Sequence, residues 1–363
     1  MVGFVFLDYY SSDHSGDKKL DELALGDETS VSFKEVGGST IHCQYISDGQ
    51  RCLDDYKKAS KDKVVLWLGN SQLHSVNQMQ PDDETATAQL HRKLRDSGYY
   101  LMTFSQPNAG LQEHYALFEY LSINAPVSIL VLPVVFDDMR ETGIRSELFS
   151  VFKDEAVTKR LETTEVGRVL LKNHSEQDAA GNDMAALNDT VQEKSEKSLN
   201  KSLESLSSIW ADRPGLRARL SLSMYRFRNW IFDINPASIR KIIPGRYVMN
   251  KMAMKAILKS SAERDIKVIL YIAPLRNDVN VPYDLNEYDK FKVEIRSIAD
   301  EFNIGFVNLE KLVPGEYWGT KGSTTTSGVQ EIDFMHFQAN GHKLLGDAVY
   351  SEIQKITDPK SMK

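Results

Sequence analysis

Cysteine is nearly absent. The 363 residues hold two, Cys43 and Cys52, too few for a disulfide scaffold, and His42 beside them still leaves one ligand short of the four a structural zinc site takes. Positive charge is also in deficit, with 44 Lys and Arg against 51 Asp and Glu. The resulting net charge of −7 leaves no basic footprint for nucleic acid. No apolar run reaches the length that spans a bilayer. Residues 1–7 are apolar but short and lack a basic leader, so they are no complete signal peptide. They read either as a buried first strand or as the stub of a truncated membrane anchor. No internal repeat is visible. Phosphate-binding loops are missing too: Gly69 is the only glycine of its turn and no Walker-type lysine follows. No cofactor and no metal is expected.

What is present is an organising stretch, Val64-Val65-Leu66-Trp67-Leu68-Gly69-Asn70-Ser71-Gln72. Five apolar residues between Asp62-Lys63 and Gly69 read as a short strand buried on both faces, the pattern of a parallel sheet. In open α/β sheets the working groups gather at the carboxyl ends of strands, and Ser71 falls at such an end. Gly69 suits a sharp turn there, and Asn70 tolerates unusual dihedrals.

The pattern then alternates. A helix opens near Asp82-Asp83 and closes at Gly98, and residues 99–104 form a strand ending in Ser105-Gln106-Pro107-Asn108-Ala109-Gly110. Residues 111–123 read as a helix and 127–136 as a strand ending in Asp137-Asp138-Met139-Arg140. This spacing is that of βαβ units. Alternation resumes with a helix over 247–264, a strand over 267–273 ending in Pro274-Leu275-Arg276-Asn277-Asp278, a helix over 288–302 and a strand over 304–309. The expected architecture is an α/β, flavodoxin-like, doubly wound parallel five-stranded sheet with a helical insertion.

Four segments follow from this: an N-terminal flank (1–62), a first half of the α/β domain (63–140), an insertion (141–245) and a second half (246–363). Cys43 and Cys52 flank Ser47-Asp48-Gly49, a turn signature, so a hairpin would bring them face to face. A disulfide and two free buried thiols both remain open. In the insertion, residues 172–208 are polar and read as a surface excursion. Leu220, Met224, Phe227 and Ile231 form one apolar stripe interleaved with Arg217, Arg219, Arg226 and Arg228. Such a stripe reads as a packing face, or as a lid or acceptor platform beside a catalytic edge.

The far end of the chain makes Ser71 more than a cap residue. Asp333-Phe334-Met335-His336 precedes a helical pattern that starts near Asn340. A carboxylate and an imidazole three positions apart can hydrogen-bond, fixing the tautomer so that the other ring nitrogen faces a nucleophile. Gly69-Asn70-Ser71-Gln72 resembles the first block of the SGNH, or GDSL-like, hydrolases. Asp333-x-x-His336, with Gly341 five residues on, resembles their last block.

The resemblance covers residues 63–140 and 246–355. It implies Ser71 as nucleophile, His336 as base, Asp333 as the group orienting it, and the N–H groups of Ser71 and Gly110 as oxyanion donors. The third block of the family reads Gly-x-Asn-Asp, whereas here Val135-Phe136-Asp137-Asp138 has no asparagine. Asn108 is expected to supply the missing amide, with Asn277 next in line. Asp137 is given no donor role, because a carboxylate beside an oxyanion would repel it; it could orient Arg140 or simply cap the following segment. Arg140, Arg226, Trp230, Asn277 and Trp318 are candidate substrate-binding residues.

The chemistry implied is covalent acyl transfer on an O-acyl ester of a carbohydrate or other small molecule, by an esterase, a deacetylase or an O-acyltransferase. Glycan-modifying branches, those like alginate O-acetylation or D-alanyl-transfer proteins, stand outside the cytoplasmic membrane behind an N-terminal anchor. That likeness favours an extracytoplasmic location, the truncated anchor and a partnership with polysaccharide-assembly machinery, with a cytoplasmic location left open. The alternative is a non-catalytic carbohydrate-binding or assembly protein on the same scaffold.

Overall fold

The structure is a computed structural model that describes residues 29–31, 38–44, 46–59, 61–180, 238–321 and 330–357. Its centre is a parallel sheet of β2 (His42–Cys43), β3 (Lys63–Gly69), β5 (Tyr99–Ser105), β6 (Val127–Val134), β7 (Lys267–Ile272) and β8 (Gly305–Asn308). Spatial order is β2-β5-β3-β6-β7-β8. Five of these strands are the expected ones, in the flavodoxin-like order, and β2 adds a sixth at the edge. The chain reverses direction across the sheet at β3, so the crevice beyond β3 is the topological switch point.

The strands alternate between two apolar layers, which is why their sequences read as continuous apolar runs. Val64, Leu66 and Leu68 face one core; Val65 and Trp67 face the other. The first core is covered by α1 (Ile46–Lys58), α4 (Leu111–Asn124), α7 (Pro244–Glu263) and α8 (Leu285–Glu301). The second is covered by α3 (Ala86–Leu94) and α9 (Ala339–Thr357). Buried Trp67 satisfies its indole N–H by donating to the Tyr271 hydroxyl at 3.1 Å.

The hairpin expected around residues 41–52 does not form. His42 and Cys43 pair in parallel with Thr103 and Phe104 of β5, and the supposed turn lies inside α1. Cys52, Leu53 and Tyr56 recur at helical spacing and face the core. Gly49 provides close approach there: a β-carbon on it would lie 3.3 Å from the Phe104 ring. Cys43 and Cys52 are nonetheless joined by a disulfide, with Cα atoms 6.5 Å apart, which ties the edge strand to α1.

The described part of the 141–245 insertion extends the main core. Helices α5 (Glu155–Leu161) and α6 (Glu165–Ala180) place Val157, Leu161, Val166 and Leu170 in it. Residues 181–237, with the Arg217–Ile231 stripe, Arg226 and Trp230, lie outside the described residues, as do residues 1–28. Among the described residues no helix is long and apolar enough to cross a membrane.

Candidate active site

Strand β3 ends at Gly69 and the chain turns directly into a single helical turn, α2 (Ser71–His74). A side chain on Gly69 would collide with Leu73, so the tight strand-to-helix turn requires glycine. Asn70 is the N-cap. Its backbone is ordinarily extended (φ −111°) rather than unusual, and its side-chain oxygen accepts from Gln72 N–H at 3.0 Å. Ser71 thus heads a helix, where backbone N–H groups have no intrahelical partner.

The opposite wall is β10 (Glu331–Phe337), paired antiparallel with β9 (Trp318–Lys321). The ladder slips between Ile332 and Phe337. In that slip Asp333 Oδ1 accepts the N–H groups of Met335 and His336 at 2.9 and 3.0 Å, a local turn that competes with the ladder. His336 Nδ1 then lies 2.9 Å from Asp333 Oδ2, and His336 Nε2 lies 2.9 Å from Ser71 Oγ. An ionised Asp333 only accepts, so Nδ1 carries the proton and Nε2 accepts from the serine hydroxyl. Burial alone would raise the Asp333 pKa. The His336 charge and hydrogen bond, Lys321 and the Met335 N–H outweigh it and bring the pKa to about 2.

Three side chains not singled out in the sequence hold this arrangement. Asn77, at the end of β4 (Ser75–Asn77), donates from Nδ2 to Asp333 Oδ2 at 3.1 Å and to Thr320 O at 3.0 Å. Gln72 Nε2 donates to Pro274 O and Met335 O, both at 2.9 Å, tying the β7 end to the histidine strand. Asp138, just beyond β6, accepts from Asn70 Nδ2 at 2.8 Å. The visible signal was polar residues at Gln72, Ser75 and Asn77 in a run whose apolar members, Leu73 and Val76, are core.

The other expected site residues are arranged differently. Gly110 caps α4, and its N–H is turned onto the Glu113 carboxylate at 3.3 Å. Asn108 is exposed with φ 51°, so it is a turn residue and not a donor toward Ser71. Asn277 is exposed as well. Trp318 is 4% exposed, packs edge-on against Phe337 and donates to Val313 O at 3.1 Å, which makes it core and not a sugar platform. Arg140 is held by Asp137 at 3.4 Å and donates to Lys241 O at 2.9 Å. Asp137 also accepts from Arg240 and, at 3.1 Å, from the Tyr283 hydroxyl. Among the described residues no cluster of His, Cys, Asp or Glu is set to hold a metal.

Fold and site together define a doubly wound α/β protein with a Ser–His–Asp constellation at its switch point. No family model and no curated protein matches the chain. Solved structures do. A GDSL-like lipase from Bacteroides thetaiotaomicron matches at 13% identity over 83% of this chain and 90% of its own, with TM-score 0.32. An acetyl-xylooligosaccharide esterase from Geobacillus matches at 11% identity over 82% and 96%, with TM-score 0.37. An acetyl xylan esterase matches at 14% identity over 80% and 99%, with TM-score 0.35. Likeness this distant transfers no residue roles, and the chemistry is read from the site itself.

Proposed function

We propose that the protein is a serine-dependent acyl-transfer enzyme of the SGNH, GDSL-like kind, acting on an O-acyl ester. The observation that supports this most is the unbroken relay Ser71 Oγ, His336 Nε2, His336 Nδ1, Asp333 Oδ2, with 2.9 Å at both hydrogen bonds. His336 takes the serine proton as Oγ attacks the ester carbonyl. The oxyanion forms at the Ser71 N–H, at the head of α2, and collapses to the acyl-enzyme as His336 protonates the leaving alcohol. Water as second acceptor completes a hydrolysis; a sugar hydroxyl completes a transfer. The carbohydrate substrate and an extracytoplasmic site of action belong to this proposal. They rest on the glycan-modifying branches that the motifs resemble and, for location, on the Cys43–Cys52 disulfide, a bond of oxidising compartments.

One observation favours a non-catalytic carbohydrate-binding or assembly role on the same scaffold: Glu113 occupies the Gly110 N–H that a second oxyanion donor needs. Intact-mass spectrometry after exposure to a fluorophosphonate separates the two readings. A catalytic protein gives one adduct, absent in Ser71→Ala, and turns over an activated acetyl ester. Ser71→Ala and His336→Ala each then lose about 10⁴-fold or more, because triad members act as a unit. Absence of an adduct in the wild type, or full labelling and turnover in Ser71→Ala, sinks the enzyme. Oligosaccharides added with the acetyl donor decide between released acetate and acetyl-sugar.

A further inference from the structure

Among the described residues four carboxylates gather beyond the end of β6, and three have cations beside them. Glu113 takes the Arg145 guanidinium at 2.7 Å and the Arg145 backbone N–H at 3.0 Å. Asp137 takes Arg140 and Arg240. Glu141 faces Arg246 and Arg140, although burial and its acidic neighbours still bring it up to about 7. Asp138 differs. It is 5% exposed, and among the described residues no lysine or arginine pairs with it. Its side-chain partner is the Asn70 amide at 2.8 Å.

Burial and the charges of Asp137, Glu141 and Glu113 push the Asp138 pKa well above the carboxylate range, with the Asn70 hydrogen bond acting the other way. The α7 groups beside this cluster are Arg246, whose guanidinium donates to Arg140 O at 3.0 Å, and Asn250, which donates to Met139 O at 3.3 Å and Glu141 O at 2.8 Å. Neither bonds the Asp138 carboxyl, and from β7 the Tyr271 hydroxyl, which accepts the Trp67 indole N–H, also lies within its electrostatic reach. A charged carboxylate here would stand one side chain away from the serine whose reaction develops a negative oxygen, in a site with little water to screen it. A neutral carboxyl can accept the same Asn70 N–H through its carbonyl oxygen. That bond fixes the Asn70 amide so that its own oxygen meets Gln72 N–H and shapes the turn carrying Ser71.

We infer that Asp138 works as an uncharged carboxylic acid, a positioning residue that holds Asn70, and through it the Ser71 turn, without bringing negative charge to the reacting oxygen. The inference rests on Ser71 being the nucleophile. Asp138 makes and breaks no bond in the reaction.

The test compares Asp138→Asn and Asp138→Ala with wild type and Ser71→Ala, using an activated acetyl ester from mildly acidic to alkaline pH. Asp138→Ala is expected to lose about 100-fold in kcat/KM through a misplaced turn. Asp138→Asn, which offers the same neutral acceptor, is expected to recover most of that loss. It should also lack the alkaline fall that wild type shows as Asp138 ionises. An infrared difference between wild type and Asp138→Asn at neutral pH should show a carboxylic-acid band. A folded Asp138→Asn as impaired as Asp138→Ala, or carboxylate bands in place of the acid band, overturns the inference. Should the wild type show no Ser71-dependent turnover, the enzyme reading fails, and the infrared bands still decide the charge on Asp138.

Discussion

Asp333 carries more hydrogen bonds than any other group in the relay, and each has a distinct job. Its Oδ1 binds the two backbone N–H groups that fold the chain back to His336, while Oδ2 meets both the imidazole and the Asn77 amide. The close approach of Asn77 depends on Gly319, because any β-carbon there would collide with the amide. Removing the amide in Asn77→Ala leaves Oδ2 one donor short in a buried setting, which costs about 1–2 kcal/mol, or roughly fivefold to thirtyfold in rate. The loss should fall on kcat with KM unchanged, since Asn77 acts through Asp333 and not on substrate. Asn77→Asp should be worse, because a second carboxylate at that position repels the first. An unchanged kcat in Asn77→Ala would show that the two backbone donors are enough. These partners were hidden in the sequence because nothing in a lone asparagine tells whether it is exposed or enclosed. Asp333 and His336 were legible because their spacing is itself the geometry.

Between β10 and α9 the histidine is held by packing. Gly341, in the first turn of α9, lies against Phe337, and a β-carbon on it would stand 2.7–2.8 Å from that ring and its Cβ. Phe337 is fully buried between Trp318 and His342, so it has little room to yield. Gly341→Ala is therefore expected to cost about 1–3 kcal/mol of stability by overpacking. It should also lower kcat by dragging the neighbouring His336 off Ser71; thermal unfolding and single-turnover acylation measure the two effects. Equal stability and rate in the variant would mean that the helix start shifts freely. The same packing explains what could be read in advance. Strands β3, β5, β6 and β7 were legible because burial on both faces leaves a nearly uninterrupted apolar run, and the half-buried β8 by its place in the alternation. Strand β2 was not, since two residues carry no periodicity, and Asp48-Gly49 suggested a turn that the helical spacing of Cys52, Leu53 and Tyr56 overrode. Trp318 was a candidate substrate-binding residue, yet its aromatic partner Phe337 comes from about twenty residues further on. Contacts of that range leave no local mark.

Among the described residues four histidines lie wholly inside the molecule, and together they make it sensitive to acid. His42 Nε2 and His74 Nδ1 both meet Ser105 Oγ, at 2.5 and 2.6 Å, so one ring accepts the hydroxyl proton while the other donates. His342 accepts Ala86 N–H at Nδ1 and donates from Nε2 to Ser75 O, a pattern only the neutral ring can make. Burial pushes His42 and His114 down to about 3 and His342 to about 4, and puts His74 well below its ordinary value. The sign follows directly. The unfolded histidines titrate near 6.5, so below that pH the unfolded chain binds protons that the folded chain refuses. Stability is therefore full above about pH 6.5 and declines as pH falls toward the folded values. At about pH 5 each of the four costs roughly 2 kcal/mol, a loss that Glu141 and Asp138 partly offset, because their raised folded pKa values let the native chain hold protons the unfolded chain does not. Asp333 adds to the loss only further down, between about 4 and 2, where its carboxylate is finally protonated. The protein should thus begin to lose stability between about pH 6.5 and 5, above the range where carboxylates alone would drive it. Urea unfolding across pH should show stability falling below about pH 6.5 with a net uptake of protons, and His342→Gln should lower that uptake by one. A curve level from neutrality down to about pH 4.5 would mean that the buried rings open to solvent before the fold gives way.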